Sequence, residues 1–313
     1  MQVRIVRLAA CVAWLASCGT ARRGSVPDAG ARGAVGRDGG EERRATEDAE
    51  APGHVAAPEG TRSLPDGGPT REAGWTPGRG PGPACSLPPL LCNGPAAYCG
   101  EIVLFTPASG PGYDDIPLDD ETLEDQSASY LRRDLMMTVR YAAAKVACKS
   151  AAWRGGNHAP VALGDMGEKD GSCPGTAKGA PAHPPGTHMA GSDIDIAYYQ
   201  LGDDNHVRPI CGQSDDPTMV PHCTQSPDRL DPWRTALFIG YLFEQPQLRV
   251  VGVDGRAGPL IESSLIRLCD DGWVPKDACA RVTLAWEETD TGMGWYLFHA
   301  SHMHVSIRIF EDE

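Results

Sequence analysis

Residues 186–199 read GTHMAGSDIDIAYY, and the fold turns on whether this stretch is helix or strand. The seven-residue step from His188 to Asp195 would also align the two on a helix. Gly186, Gly191 and the Ile-Tyr-Tyr run argue instead for a loop entering a strand. In a strand, Asp193 and Asp195 face one way while Ile194 and Ile196 face the other. Gly191 then lets the loop fold back, so that His188 meets the strand-borne carboxylate.

A second polar strand lies near the C-terminus. Residues 298–310 read FHASHMHVSIRIF and hold His299, His302 and His304, three of only nine histidines in the chain. Val305, Ile307 and Ile309 alternate with His304, Ser306 and Arg308, which predicts one face for the core and one for function. His302 and His304 project from the same face. Such a pair can share a metal, or one can bind it while the other works on substrate. Two imidazoles and one carboxylate would leave a tetrahedral Zn2+ one open position, the catalytic arrangement. A water there becomes a nucleophile near neutral pH. Asp193 stands as an alternative to Asp195, either as the ligand or as a carboxylate that orients a ligand imidazole.

Around these two stretches the periodicity predicts helices over Ser127–Ala152, Trp233–Phe243 and Pro259–Leu268. Strands are expected at Pro160–Leu163, Ile194–Gln200, Leu248–Val253 and Val282–Trp286, with Trp295–Phe310 as a strand or hairpin. There is no repeating βαβ rhythm and no internal repeat. The expected fold is α+β, a central and mainly antiparallel sheet carrying the zinc site and flanked by helices.

The 313-residue chain carries a formal net charge of −14 and has a pI near 5.0, which argues against nucleic acid as a partner. At the N-terminus, Arg4 and Arg7 precede an apolar run from Leu8 to Leu15 that is too short to span a bilayer but suits an export signal. Leu15-Ala16-Ser17-Cys18 resembles a bacterial lipobox, which implies a signal peptide over 1–17 and a lipidated Cys18. Gly19 in the next position, by resemblance to Gram-negative lipoproteins, implies outer-membrane sorting in the periplasm. Residues 18–84 are rich in Gly, Pro and Ala, almost without large apolar side chains, and are expected to form a disordered tether. The folded domain is expected over 85–313. Eleven cysteines fit an oxidising compartment. Setting aside Cys11 and Cys18 leaves an odd number, with Cys211–Cys223 and Cys269–Cys279 as the disulfides suggested by loop closure.

The order H-x6-D followed much later by H-x-H resembles the peptidase group that includes lysostaphin, D-Ala-D-Ala peptidases and sonic hedgehog. Within it the chain is most similar to penicillin-insensitive murein endopeptidases, in HxxGxDxD (His188, Gly191, Asp193, Asp195) and HxxHMHV (His299, His302, Met303, His304, Val305). The intervening run from Trp233 to Cys269 is similar as well, and the resemblance covers about residues 155–310. It implies His188, Asp195 and His304 as zinc ligands and His302 and His299 as catalytic histidines, one of them the general base or the group that polarises the carbonyl. It also implies peptidoglycan as substrate, with hydrolysis of the amide between D-Ala and diaminopimelate. The family has a further histidine just before the first ligand, where this chain has Gly186 and Thr187. A D,D-carboxypeptidase or dipeptidase of the same group and a wall-binding lipoprotein without catalysis are the rival readings.

Other polar residues read more plainly. His54, His158, His183, His206 and His222 are expected to be solvated or structural. Gly164-Asp165 fits either a turn or a substrate-touching loop, and Arg132-Arg133 a helix surface.

Overall fold

The computed structural model describes residues 77–117, 121–122, 124–184, 186–213, 221–292 and 294–309, all within one of the two compact units into which the chain divides. The signal peptide expected over 1–17, the expected lipidation site Cys18 and the expected tether as far as residue 76 lie outside the described residues. The chain forms a mixed α+β fold. Its helices are α1 (Ala96–Cys99), α2 (Arg133–Lys149), α3 (Pro232–Leu242), α4 (Gly258–Asp270) and α5 (Lys276–Arg281). The strands are β1 (Ile102–Leu104), β2 (Ser109–Gly110), β3 (Tyr113–Asp115), β4 (Tyr130–Arg132), β5 (Val161–Leu163), β6 (Asp193–Ala197), β7 (Leu248–Gly252), β8 (Leu284–Ala285) and β9 (His302–Ile307).

Seven strands make the main sheet in the order β2-β3-β5-β6-β9-β7-β8. Only β3–β5 and β7–β8 run parallel, so the sheet is mainly antiparallel. The central pair is β6 and β9, the two stretches that the alternation of side chains singled out. Ile194, Ile196, Met303, Val305 and Ile307 are buried in the core. The aspartates and histidines of the same strands share the opposite face, as a two-residue period requires.

Helix α3 is buried along nearly its whole length and packs on both α2 and α4. Its start follows from the sequence Asp231-Pro232. The Asp231 side chain accepts hydrogen bonds from the amides of Trp233 and Arg234, and proline suits the first helical turn. Arg234 is buried and paired with Asp231 at 2.7 Å, and its guanidinium also donates to the Gly155 carbonyl at 2.8 Å. Neighbouring acceptors on the fixed fork of an arginine make such a buried charge tolerable.

The strands expected over Ile194–Gln200 and Val282–Trp286 end early, at Ala197 and Ala285, and two elements depart further from the sequence expectation. The long helix begins at Arg133, because Tyr130–Arg132 pairs with β1 as a strand. The backbone amides there are taken elsewhere, Tyr130 by the Gly167 carbonyl and Arg132 by that of Gly191. The expected strand over 295–301 is a loop. Glu287 draws the amides of Trp295 and Tyr296 onto its carboxylate, and an amide held by a side chain is lost to a ladder.

Among the described residues four disulfides tie the fold: Cys85–Cys148, Cys92–Cys99, Cys211–Cys223 and Cys269–Cys279. The last two are those that loop closure suggested. Cys173 is buried and belongs to none of the four. Contacts begin before Cys85: Trp273 Nε1 donates to the Gly78 carbonyl, and Lys149 donates to those of Pro81 and Pro83.

One buried acid sits against the grain of the fold. Asp115 at the end of β3 is 5% exposed, and neither carboxylate oxygen has a hydrogen-bond partner among the described residues. Burial pushes it up to about 7, with Ser129 opposing and the Glu121 charge adding to the rise. An acid whose folded pKa is raised binds more protons folded than unfolded, so its contribution to stability falls as pH rises from about 4 to about 7. We therefore expect Asp115→Asn to melt above wild type by several degrees at pH 8, at about 2–4 °C per kcal/mol for a domain of this size. The gap should close at pH 4, and thermal unfolding at both pH values checks this.

Candidate metal centre

The site is built on the pairing of β6 with β9. Asp195 lies directly opposite His304, Asp193 opposite Ser306 and Ala197 opposite His302. His188 reaches the same place from the loop ahead of β6, as the glycine at 191 led us to expect. Gly191 has φ +65, and a Cβ there would come within 2.7 Å of the Arg132 amide nitrogen. His188 and Ala190 also take positive φ, +53 and +54, a conformation uncommon for residues with side chains and found where function holds the backbone.

Four imidazoles surround the Asp195 carboxylate. Its Oδ1 lies 3.0 Å from His304 Nδ1 and 3.3 Å from His188 Nε2. Its Oδ2 lies 3.4 Å from His302 Nε2 and 3.8 Å from His183 Nδ1. His183, read from the sequence as a bland loop histidine, is thus part of the centre and stacks on His188 with ring centroids 4.0 Å apart. His183, His188 and Asp195 form the one group of three or more ligating side chains whose donor atoms all lie within 4.8 Å of one another among the described residues. That group could hold a metal ion. His304 adjoins it through the shared oxygen of Asp195.

The outer partners of these rings decide which nitrogens face inward. His188 Nδ1 is 2.8 Å from the Met166 carbonyl, which can only accept, so Nδ1 carries the proton and Nε2 presents its lone pair. That Nε2 is buried and makes no hydrogen bond among the described residues. His183 Nε2 is held by Asp165 Oδ2 at 2.8 Å, and His304 Nε2 by Asp193 Oδ1 at 3.2 Å. In each ring one nitrogen is fixed from outside and the other converges on Asp195. This is the arrangement in which outer carbonyls and carboxylates orient metal-ligating histidines. Asp165, half read as a simple turn residue, supplies one of these anchors. The Asp165 backbone carbonyl also accepts from the Asp195 amide at 2.8 Å.

Electrostatics follow the same geometry. Burial works to raise Asp195, but the surrounding imidazoles, His302 and His188 foremost, hold it well below the usual carboxylate range. Burial likewise opposes ionisation of Asp193, yet its bond to His304 brings it down to about 2. His304 is pushed up to about 10, its two aspartate partners overcoming burial. Burial lowers His302 despite the attraction of Asp195. Burial, with His302 nearby, pushes His299 down to about 4, so His299 is neutral across the physiological range. His299 is 6% exposed, lies 5.6 Å from the His302 ring, and its Nδ1 has no hydrogen-bond partner among the described residues.

All five site residues singled out in the sequence therefore meet on one face of the sheet, with Asp193 as the outer carboxylate of His304. Arg132 and Arg133 point elsewhere, paired with Asp134 and Glu101. No family model matches the chain, and no curated protein matches it.

The anchors can be tested apart from any reaction. Asp165→Asn and Asp193→Asn are each expected to weaken Zn2+ binding by about 10–100-fold with the far-ultraviolet circular dichroism unchanged. Competition against a chromophoric chelator measures the effect.

Proposed function

We propose that the protein is a zinc peptidase that hydrolyses peptide cross-links of peptidoglycan, held in the periplasm by a lipid on Cys18. The observation that carries this reading is the convergence of His188, His183 and His304 on Asp195, each ring tethered from outside so that its inner nitrogen is turned toward one point. The resemblance of HxxGxDxD and HxxHMHV to murein endopeptidases supports the substrate class. No helix among the described residues is long and apolar enough to cross a membrane, and the proposed attachment needs none.

His188, Asp195 and His304 would hold the ion, with His183 stacked beside them; two nitrogens and one oxygen suit Zn2+ and leave one of its four positions open. Zinc so bound supplies Lewis acidity, polarising a carbonyl and lowering the pKa of water. His302 is placed for the proton. Its Nδ1 is 3.2 Å from Ser301 Oγ, its Nε2 is 3.4 Å from Asp195 Oδ2, and burial lowers its proton affinity, so the ring would take a proton and later return it to the leaving amine. His299 stays neutral beside it and can only donate or accept a hydrogen bond, which fits a role in orienting the carbonyl. Trp295, whose ring is 5.6 Å from that of His299 and 6.2 Å from that of His304, walls the site and limits bulk water.

Digestion of purified cross-linked muropeptides tests the reading. Monomers released from dimers are the expected product. Loss of terminal D-Ala alone would mean a carboxypeptidase, and no product from zinc-loaded protein would leave wall binding. His302→Ala is expected to keep its zinc and lose at least 100-fold in kcat, in line with the about 10²–10⁴-fold worth of a positioned base. His304→Ala is expected to lose both zinc and activity, and full zinc stoichiometry in that variant would remove His304 from the ligand set.

A further inference from the structure

One strand end away from the metal centre is a polar cavity of about 190 Å3, lined by His222, Asp254, Arg256, Glu287, Glu288 and Tyr296 among others. We propose that it is a substrate subsite for the zwitterionic end of a diamino acid side chain, an ammonium with a carboxylate on the same carbon. The proposal rests on the cross-link reading above for its choice of substrate.

Position comes first. Gly252 on β7 pairs with His304, and Asp254 follows two residues later. Strand spacing puts the backbones of His304 and Asp254 on the order of 8 Å apart. Two covalent and hydrogen-bonded links join the places. Trp295, which walls the metal site, is followed directly by Tyr296 in the cavity lining. The buried Tyr198 hydroxyl accepts from the Asp254 amide and donates to the His299 carbonyl, each at 2.9 Å. A peptide spans about 3.3–3.6 Å per residue, so a substrate amide at the metal has its next residue or two within reach of the cavity.

Size and charge narrow the occupant. The cavity is far larger than the about 10–15 Å3 a lone water needs and smaller than the about 300–1,000 Å3 of a free-standing ligand pocket. It fits one polar end group. Three carboxylates and one guanidinium line it. Asp254 is 1% exposed, and its oxygens accept from the backbone amides of Cys223 at 2.8 Å and Arg256 at 2.7 Å. These bonds fix the carboxylate while leaving each oxygen a lone pair. Glu287 is buried and held by the amide and hydroxyl of Thr291 and the amides of Trp295 and Tyr296, so it adds negative charge to the floor rather than a contact. Exposed Glu288 and Arg256 stand on the lining. A negative floor favours an ammonium, and the arginine fork favours a carboxylate beside it. His222 and Tyr296 close the wall, His222 Nε2 lying 3.1 Å from the Tyr296 hydroxyl. The carboxylates are not gathered as a metal site would need; that grouping occurs at His183, His188 and Asp195.

In a murein cross-link of the proposed kind, the residue before the donor D-Ala is a diaminopimelate. Its far end carries a free ammonium and carboxylate, one residue from the amide to be cut. The separation on the order of 8 Å between the His304 and Asp254 backbones suits that reach.

Two measurements on the full chain in detergent test the subsite. Titration calorimetry with meso-diaminopimelate is expected to show binding that weakens at least 10-fold in Arg256→Ala, recovers in part in Arg256→Lys, and is unchanged after chelator treatment. No binding, binding indifferent to Arg256, or binding lost on chelation overturns the proposal. In the second, muropeptide dimers with the donor ammonium acetylated are expected to raise KM at least 10-fold with kcat little changed; an unchanged KM overturns it. If no dimer is cut while meso-diaminopimelate still binds in the Arg256-dependent way, the cavity stands as a zwitterion site and the cross-link reading falls.

Discussion

The register between β6 and β9 is the constraint on which everything else depends. Asp195 faces His304 and Ile194 faces Val305 across the central strand pair, so the apolar and polar faces of two strands coincide. A slip of one residue would turn Ile194 and Ile196 against the histidines and drive the aspartates into the core. Burying those charges unpaired would cost far more than a domain can offset. Core packing of Met303, Val305 and Ile307 thus fixes the side-chain geometry of the opposite face.

That face concentrates more charge than a sheet centre ordinarily bears. Asp193 and Asp195 are 4% and 5% exposed, and buried ion pairs repay their desolvation only when the remaining hydrogen bonds are satisfied. The rings meet that need in layers. Imidazoles surround Asp195, and the Met166 carbonyl, Asp165 and Asp193 anchor the imidazoles from outside. A centre supported this way is rigid before any ligand arrives, which is what precise positioning of reacting groups requires. The cost shows in the backbone, where His188 and Ala190 hold positive φ because the Gly191 turn must press against the Arg132 amide.

The loop from Glu287 to Ser301 makes a second kind of link. Glu287 gathers its amides, Trp295 lies over Gly252, where a Cβ would come within 2.0 Å of the ring, and Tyr296 lines the same cavity as Asp254. A segment that could have extended the sheet instead walls the metal centre and lines the neighbouring cavity. Binding elements are often carried on loops set by a rigid sheet in this manner.

The sequence by itself determined a strand over Ile194–Gln200, where Asp193–Ala197 forms, and one within Trp295–Phe310, of which His302–Ile307 forms, together with the common face of Asp193 and Asp195, that of His302 and His304, the approach of His188 over Gly191, and two of the four disulfides. These follow from local rules, a period of two, a glycine where the chain must fold back, and short loop closure. Only the tertiary structure decided the place of His183 and Asp165. His183 sits among prolines five residues before His188, with no period to mark it, and its partner Asp165 lies 18 residues away at a strand end. Their meeting is made by the packing of two loops on the edge of β5 and β6. The boundary of α2 was decided there too, because the amides of Tyr130 and Arg132 found carbonyls in Gly167 and Gly191 that no helical pattern in their own segment could reveal. Local pattern specifies which face a side chain joins, but which distant backbone group claims a hydrogen bond depends on the packed whole.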